Sequence, residues 1–221
     1  MEDKRKAVLI GATGLVGKEL LTLLLAEGHY KKVQVLARKP AVTTHPKLEW
    51  HTVNFDEPEA YTHLLDAHDA YCCLGTTMKN AGSKEAFYKV DFTYVVQFAE
   101  ACQQRSVKNF FLVSSMGANA DSFFFYNRVK GETEKRLQEM NFSTLQIFRP
   151  SMLLGKRDEV RLGEGIGKGF VQVFSPVIAR RYRGIPGKTV AKAMLLKAKK
   201  PGSGVQVYLS DKIHDICQRG Q

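Results

Sequence analysis

Residues 7–17 read AVLIGATGLVG: a short apolar run reaches Gly11, and Gly14 and Gly17 follow at GxxGxxG spacing. An apolar run of this length ending in glycine predicts a buried strand over 7–12. The continuation VGKELLTLLLAEG spaces its leucines for a helix over 16–28 and stops at Gly28. A strand that turns through glycines into a helix is a unit that holds a dinucleotide. Gly11 permits the tight turn, Gly14 lets the backbone approach a pyrophosphate, and Gly17 lets helix and strand pack closely. The free N–H groups of the first helical turn then face the anion.

Outward from this unit the chain keeps alternating. Strands are expected at KVQVLAR (32–38), LEWHTVNF (48–55), DAYCCLG (69–75), NFFLVSS (109–115), TLQIFRP (144–150) and GVQVYLS (204–210). Helices are expected at EPEAYTHLL (57–65), EAFYKVDFTYVVQFAEACQQ (85–104), FYNRVKGETEKRLQEM (125–140) and VAKAMLLKAKK (190–200). This order predicts an α/β fold, a Rossmann-type doubly wound parallel sheet with helices on both faces. The strands are nearly continuous apolar runs, as strands buried on both sides require. After Pro150 the regularity weakens, and GKRDEVRLGEGIGKG (155–169), with five glycines, reads as a loop or mobile subdomain. With no repeat and no long linker, residues 1–221 read as one NAD(P)-binding domain with a small C-terminal extension over 151–221.

The 221 residues carry 33 Lys and Arg against 22 Asp and Glu, a net charge of +11, with 44% hydrophobic residues. Those proportions are globular and exclude intrinsic disorder. No apolar run approaches the ~18 to 20 residues of a membrane span. The opening MEDKRKAVLIGATG has no signal-peptide pattern, so a cytoplasmic location and no membrane partner are expected. Four cysteines, at 72, 73, 102 and 217, include an adjacent pair and no CxxC. They read as free thiols of a reducing compartment. The six histidines have no ligand spacing, so no metal is assigned. Residues 151–221 hold 14 basic and 5 acidic residues, so the excess charge belongs to the last third. It is either a solvated face or a surface for a phosphate-bearing ligand, an acidic protein or nucleic acid. Nucleic acid is not expected, since no nucleic-acid-binding signature accompanies the charge.

The second strand ends in Ala37, Arg38 and Lys39, where an NAD-binding protein usually places an acid for the adenosine ribose. Arg38 can clamp a 2′-phosphate bidentately, which favours NADP(H). Asp56, ending the third strand, either accepts from the adenine amino group or caps the helix that follows. The fourth strand ends in Leu74, Gly75, Thr76 and Thr77, and a glycine there suits close approach to a ligand in the crevice. Tyr126 and Lys130 are four apart on one helix face, and Ser114 and Ser115 end the strand before that helix. A free Tyr phenol has a pKa of ~10, and a neighbouring ammonium and cofactor charge favour its phenolate. A serine hydroxyl can hold a carbonyl oxygen while the phenol gives it a proton.

The order GATGLVG, LAR, CLGTT, LVSS, YNRVK, FRP resembles the short-chain dehydrogenase/reductase superfamily. The stretches CLGTTMKNAGSKEAFYKVD, VSSMGANADSFFFYNRVKGETE and FRPSMLLGKRDEVRLGE are similar to its atypical reductases of the Tat-interacting protein 30 group, and the closing KIHDI also fits. That resemblance implies Tyr126 as catalytic acid/base and Lys130 as the ligand of the nicotinamide ribose. It implies Ser115 as the carbonyl-orienting hydroxyl, with Ser114 as rival. Thr13, Gly14, Leu15 and Val16 would line the pyrophosphate, Arg38 and Lys39 the 2′-phosphate, and Leu74 and Gly75 the adenosine half. Leu153 and Arg161 would close over the cofactor. One departure is Asp91, which stands where many extended members carry Asn. The implied function is an NADP(H)-dependent oxidoreductase on a small carbonyl or alcohol substrate. The alternative is an NADP(H)-binding regulatory module that acts through partners without turnover. A monomer or a homodimer is expected, since YVVQF (94–98) either pairs between copies or faces the sheet.

Overall fold

In the computed structural model, which describes residues 4–41, 43–155 and 179–219, the first strand, β1 (Arg5–Ile10), sits near the middle of a parallel sheet. Its side chains alternate between two cores: Ala7 and Leu9 point to one face, Val8 and Ile10 to the other. The other strands are β2 (Tyr30–Ala37), β3 (Leu48–Thr52), β4 (Asp69–Cys72), β5 (Asn109–Val113), β6 (Thr144–Arg149) and, after a short pair β7 (Leu153–Leu154) and β8 (Ile185–Pro186), β9 (Gly204–Leu209). The seven-stranded sheet runs β3-β2-β1-β4-β5-β6-β9. The winding reverses between β1 and β4, and at such a switch point a crevice opens beyond the strands' carboxyl ends.

Helices α1 (Leu15–Ala26), α7 (Gly187–Lys199) and α8 (Ser210–Arg219) cover the Ala7 face. The Val8 face is covered by α2 (Pro58–Thr62), α5 (Tyr94–Gln104) and α6 (Phe125–Gln138), with α3 (Met78–Ala81) and α4 (Lys84–Tyr88) in the connection after β4. Val95, Val96 and Phe98 are buried against the sheet, so the YVVQF stretch serves the core. The sheet's amino-terminal edge is tied by Asp69, which accepts from Arg5 Nη2 at 2.6 Å, Tyr30 Oη at 2.8 Å and Asn109 Nδ2 at 2.7 Å. Its four donors come from β1, β2 and β5.

Several elements differ from the sequence reading. The third and fourth strands stop at Thr52 and Cys72, with one further ladder bond beyond each, Val53 N to Ala37 O at 2.9 Å and Cys73 N to Ile10 O at 3.0 Å. The single helix expected over 85–104 is three pieces. Ser83 Oγ accepts from Ala86 N at 3.1 Å to start α4, and a π-helical turn over Lys89–Thr93 intervenes before α5. Helix α8 is not among the helices read from the sequence, although Ile213, Ile216 and Cys217 line one face of it and pack on the Ala7-side core. All four cysteines are free, and among the described residues no helix is long and apolar enough to cross a membrane.

Candidate functional site

At the end of β1 the chain turns at Gly11, whose φ of +76° is costly for any residue with a Cβ. A Cβ there would lie 2.5 Å from the Cys73 carbonyl carbon and 2.6 Å from Leu74 N, so the turn is pressed against the exit of β4. A Cβ on Gly17 would collide with the Gly11 carbonyl oxygen, which is how closely α1 sits on the turn. Gly14 N donates to that same oxygen at 3.0 Å. Gly14 also occupies the N-cap of α1 with extended backbone, no capping side chain and no acid in the first turn. The backbone N–H groups of this turn thus meet no carboxylate of their own helix. Val16 is buried in the core and offers only its backbone, whereas Thr13 is exposed. This cradle of backbone donors and missing Cβ atoms fits a dinucleotide pyrophosphate.

Arg38 and Lys39 follow β2 directly, are exposed, and flank the crevice edge of the sheet. Trp50 Nε1 donates to Lys39 O at 2.9 Å and pins this corner. Asp56 corrects one of the two sequence readings: it is not the cap of α2, whose N-cap is Glu57. Its carboxylate instead accepts from Lys89 Nζ at 2.8 Å and Tyr94 Oη at 3.0 Å. The Lys89 ammonium holds that carboxyl below the usual range. Its N-capping role lost to these donors because they reach it from the turn and helix packed across from it.

Beyond β4, Leu74, Gly75 and Thr76 run irregularly over the crevice. Thr76 N donates to Asp91 Oδ2 at 2.8 Å. A Cβ on Gly75 would lie 3.2 Å from Asp91 Oδ1 and 3.4 Å from Lys130 Nζ. This glycine therefore permits the loop to lie on an ion pair, Lys130 Nζ to Asp91 Oδ1 at 2.6 Å, with side chains 7% and 0% exposed. Burial alone would lower the Lys130 pKa, but the Asp91 charge and hydrogen bond and the Tyr126 hydroxyl together raise it. Lys130 is therefore a cation at every physiological pH. Tyr126, one turn earlier on α6, is 37% exposed, with its ring 5.5 Å from that of Phe87.

The two serines after β5 have different surroundings. Ser114 N continues the strand ladder to Phe148 O at 2.8 Å, and Ser114 Oγ donates to Glu134 of α6. Glu134 is 1% exposed and also accepts from Arg149 Nε, at 3.0 and 3.1 Å. Ser115 Oγ is buried with no partner among the described residues. Glu134 was missed by the sequence reading, although it lies on the Tyr126 and Lys130 face at the next i+4 step. Gly131 was missed as well: a Cβ there would run into the backbone of Asn119 and Ala120, so it lets α6 close on the loop after Ser115.

Leu153 lies in β7, pairs with Ile185 and packs on the Ala7-side core. Leu15 at the start of α1 reaches Gly155 and Gly187, so the segment after β6 passes the N-terminus of α1. Arg161, and all of the 155–169 stretch except Gly155, lie outside the described residues. Part of the basic last third is internally paired, as Lys199 with Glu27 at 2.6 Å and Arg180 with Asp215 at 3.4 Å. Among the described residues no cluster of His, Cys, Asp and Glu has the form of a metal site.

Residues 11–162 match a family model described as NAD(P)H-binding. The chain is 35% identical to Protein HTATIP2 of Rattus norvegicus over 95% of its own length and 88% of that protein. It is 33% identical to Protein fmp52, mitochondrial, of Aspergillus niger, over 96% of this chain and 97% of that one. Among solved structures it resembles the Bordetella bronchiseptica enzyme WbmH in complex with NAD+, with a TM-score of 0.72, 16% identity and coverage of 94% and 76%. UDP-glucose 4-epimerase of Thermotoga maritima with UDP-glucose gives a TM-score of 0.70 at 14% identity, over 97% and 82%. At these identities the structural likeness shows the Rossmann fold alone.

Proposed function

This chain belongs to the NAD(P)H-binding family, as an atypical short-chain dehydrogenase/reductase resembling HTATIP2, and we propose that it is an NADP(H)-dependent oxidoreductase interconverting a small carbonyl compound and its alcohol. What supports this reading is that Tyr126 and Lys130 stand one turn apart on α6, that Lys130 reaches the loop after β4 at Gly75, and that the Ser115 hydroxyl has no partner among the described residues. The preference for NADP(H) rests on Arg38 and Lys39, with no acid at the end of β2. A guanidinium fork matches a phosphate, whereas a ribose diol asks for a carboxylate.

The bound dinucleotide would supply the hydride for the carbonyl carbon. The chain's own groups do the rest. Ser115 Oγ donates to the carbonyl oxygen and sets its position. Tyr126 Oη gives that oxygen its proton and recovers one from water, to which its ring is open. Lys130 spends one N–H on Asp91 and has two for the ribose hydroxyls. The backbone N–H groups of the α1 N-terminus hold the pyrophosphate. We also assign the protein to the cytoplasm, where its free thiols stay reduced, and read the basic last third as a face for an acidic protein partner.

Calorimetric titration of NADPH and NADH into native protein and Arg38→Asp tests the cofactor reading. A charge-assisted bidentate contact is worth ~1.5 to 3 kcal/mol, so native protein should prefer NADPH by roughly ten- to a hundredfold. The Asp variant should invert the order, by repelling the phosphate and accepting from the ribose. Absence of any preference in the native protein defeats the NADP(H) reading. For the chemistry, NADPH oxidation is followed with a panel of aldehydes and ketones. Tyr126→Phe should keep cofactor binding and lose turnover, and retained turnover in that variant removes Tyr126 from its role. Tight NADPH binding with no turnover on any member of the panel favours the regulatory module.

A further inference from the structure

We propose that the outer edge of β9 is a docking site for an extended segment of an acidic protein, which adds to the sheet as a further strand. The inference rests on the reading of the basic last third as a face for an acidic partner, and it adds the place and the mode of contact.

Strand β9 closes the sheet beyond β6, and among the described residues no strand pairs with its outer side. Its register with β6 is unbroken from Gly204 to Leu209. Gly204 N donates to Ser143 O at 2.9 Å. Alternation along the strand then turns the N–H and C=O groups of Gly204, Gln206 and Tyr208 toward β6, and those of Val205 and Val207 outward. The outward groups have the spacing that an incoming strand takes up. The side chains of the same two valines share one face. Tyr208 packs on the Ala7-side core, with its ring 5.1 Å from that of Phe148. Val205 and Val207 therefore stand on the Val8 side, where they are 48% and 43% exposed. The edge is held in place from within. Thr144 Oγ1 donates to Gly202 O at 2.9 Å in the turn before it, and Tyr208 Oη donates to Gln206 Oε1.

Sheet edges are ordinarily guarded by charge, proline or a bulge. The opposite edge follows that rule: β3 carries His51 and Glu49, the latter bridged to Lys32 at 2.7 Å. The sequence of β9, GVQVYL, holds neither charge nor proline. Its charge lies around it. Residues 179–219 hold ten Lys and Arg and two Asp, and Lys200 before the strand and Lys212 after it are exposed. That distribution selects the occupant. A second copy paired antiparallel about Gln206 would match Val205 to Val207, but it would also bring the Lys200 and Lys212 flanks of the two copies together, in a chain of net charge +11. A strand with acids at its ends meets those cations favourably. Apolar β-branched residues at its alternate positions would cover Val205 and Val207.

The probe is a synthetic peptide of alternating valine and threonine with glutamates at both ends, titrated into native protein by fluorescence anisotropy. It should bind, and the outward amides of Val205 and Val207 should gain protection from hydrogen exchange, read by NMR. N-methylation of alternate residues separates backbone pairing from charge. In the phase that faces β9 it should weaken binding by about tenfold or more, and in the other phase it should leave binding intact. Val207→Pro removes an outward N–H at a position where an edge strand tolerates proline. It should weaken binding by a similar factor and leave NADPH affinity unchanged. If that variant does not fold, the two methylated peptides decide on native protein alone. Equal binding in both phases, or binding without protection at Val205 and Val207, overturns the proposal. Replacing the glutamates by glutamine should weaken binding at low salt, with the two peptides converging as salt rises. Equal affinities at low salt remove the acidic partner from β9. Oligoglutamate that binds while the valine peptide leaves β9 unprotected sinks the edge site and keeps the acidic-partner reading, and failure of every acidic peptide to bind defeats both. Protection of Val205 and Val207 that rises with protein concentration alone assigns the edge to a second copy and likewise overturns the proposal.

Discussion

Replacing Glu134 by Gln should loosen α6, the helix that carries Tyr126 and Lys130, from the sheet without touching the turn at Gly11. Glu134 sits on α6 at 1% exposure, takes Ser114 Oγ from the end of β5, and takes Arg149 Nε and Nη2 from the end of β6. Gln keeps the length and one acceptor but turns the other toward Arg149 as a donor. Breaking a buried ion pair by removing one partner costs ~3 to 5 kcal/mol. Arg149 is 27% exposed on its side chain, so water recovers part of its charge and we expect about 2 to 3 kcal/mol. For a chain of this size that is a fall in Tm of roughly 5 to 10 °C. Urea denaturation should show a lower midpoint at unchanged slope. In the double variant Glu134→Gln with Arg149→Met the two losses should sum to less than their separate values, since the second removes the stranded cation. On the proposed roles, NADPH affinity should hold while kcat falls, because α6 carries Tyr126 and loses its hold on the end of β5. An unchanged midpoint for Glu134→Gln, or strict additivity with Arg149→Met, would refute the clamp.

Gly11→Ala forces a Cβ to 2.5 Å from the Cys73 carbonyl carbon at a positive φ, so it should destabilise the chain and abolish dinucleotide binding by calorimetry. Ser115→Ala should cost turnover with little change in stability, while Ser114→Ala should cost about 1 to 2 kcal/mol in urea and spare more of the turnover. Equal effects of the two on kcat would overturn the distinction between them. Lys199 holds the Glu27 carboxyl below its ordinary value, so this pair stabilises the fold above the unfolded-state pKa and is lost as pH falls through the folded one. Lys199→Ala should therefore lower Tm at pH 7 by an amount that vanishes in acid, with the pair worth at most ~1 kcal/mol because both side chains are part-exposed.

Local patterns carried much of the site. Three glycines after an apolar run have one economical explanation, and the built Cβ distances at Gly11 and Gly17 agree with it. The i, i+4 spacing of Tyr126 and Lys130 needs only that residues 126–130 be helical, which they are. The same spacing carried one step further reaches Glu134, so that residue was within reach of the pattern and needed only the question of what an acid does on a buried face. Other features depended on partners distant in the chain. Ser114 and Ser115 are neighbours in sequence, and what separates them is Glu134, twenty positions away from Ser114 and on another element. Asp56 was a plausible cap until Lys89 and Tyr94 met it from across the Val8-side layer.

Alternation of apolar strands with amphipathic helices specified a parallel doubly wound sheet, because strands buried on both faces and helices buried on one leave few other arrangements. Glycine spacing specified where the backbone could approach an anion, because steric exclusion at Cβ is a property of single residues. The tertiary structure decided the charge state around the chemistry. Asp91 lies 39 residues before Lys130, and nothing in either neighbourhood records that a π-turn carries the one carboxylate onto the other's ammonium at 2.6 Å. Coulomb energy and desolvation depend on separation and burial in space, and those quantities exist only once the sheet has brought the loop after β4, the π-turn and α6 to a common edge.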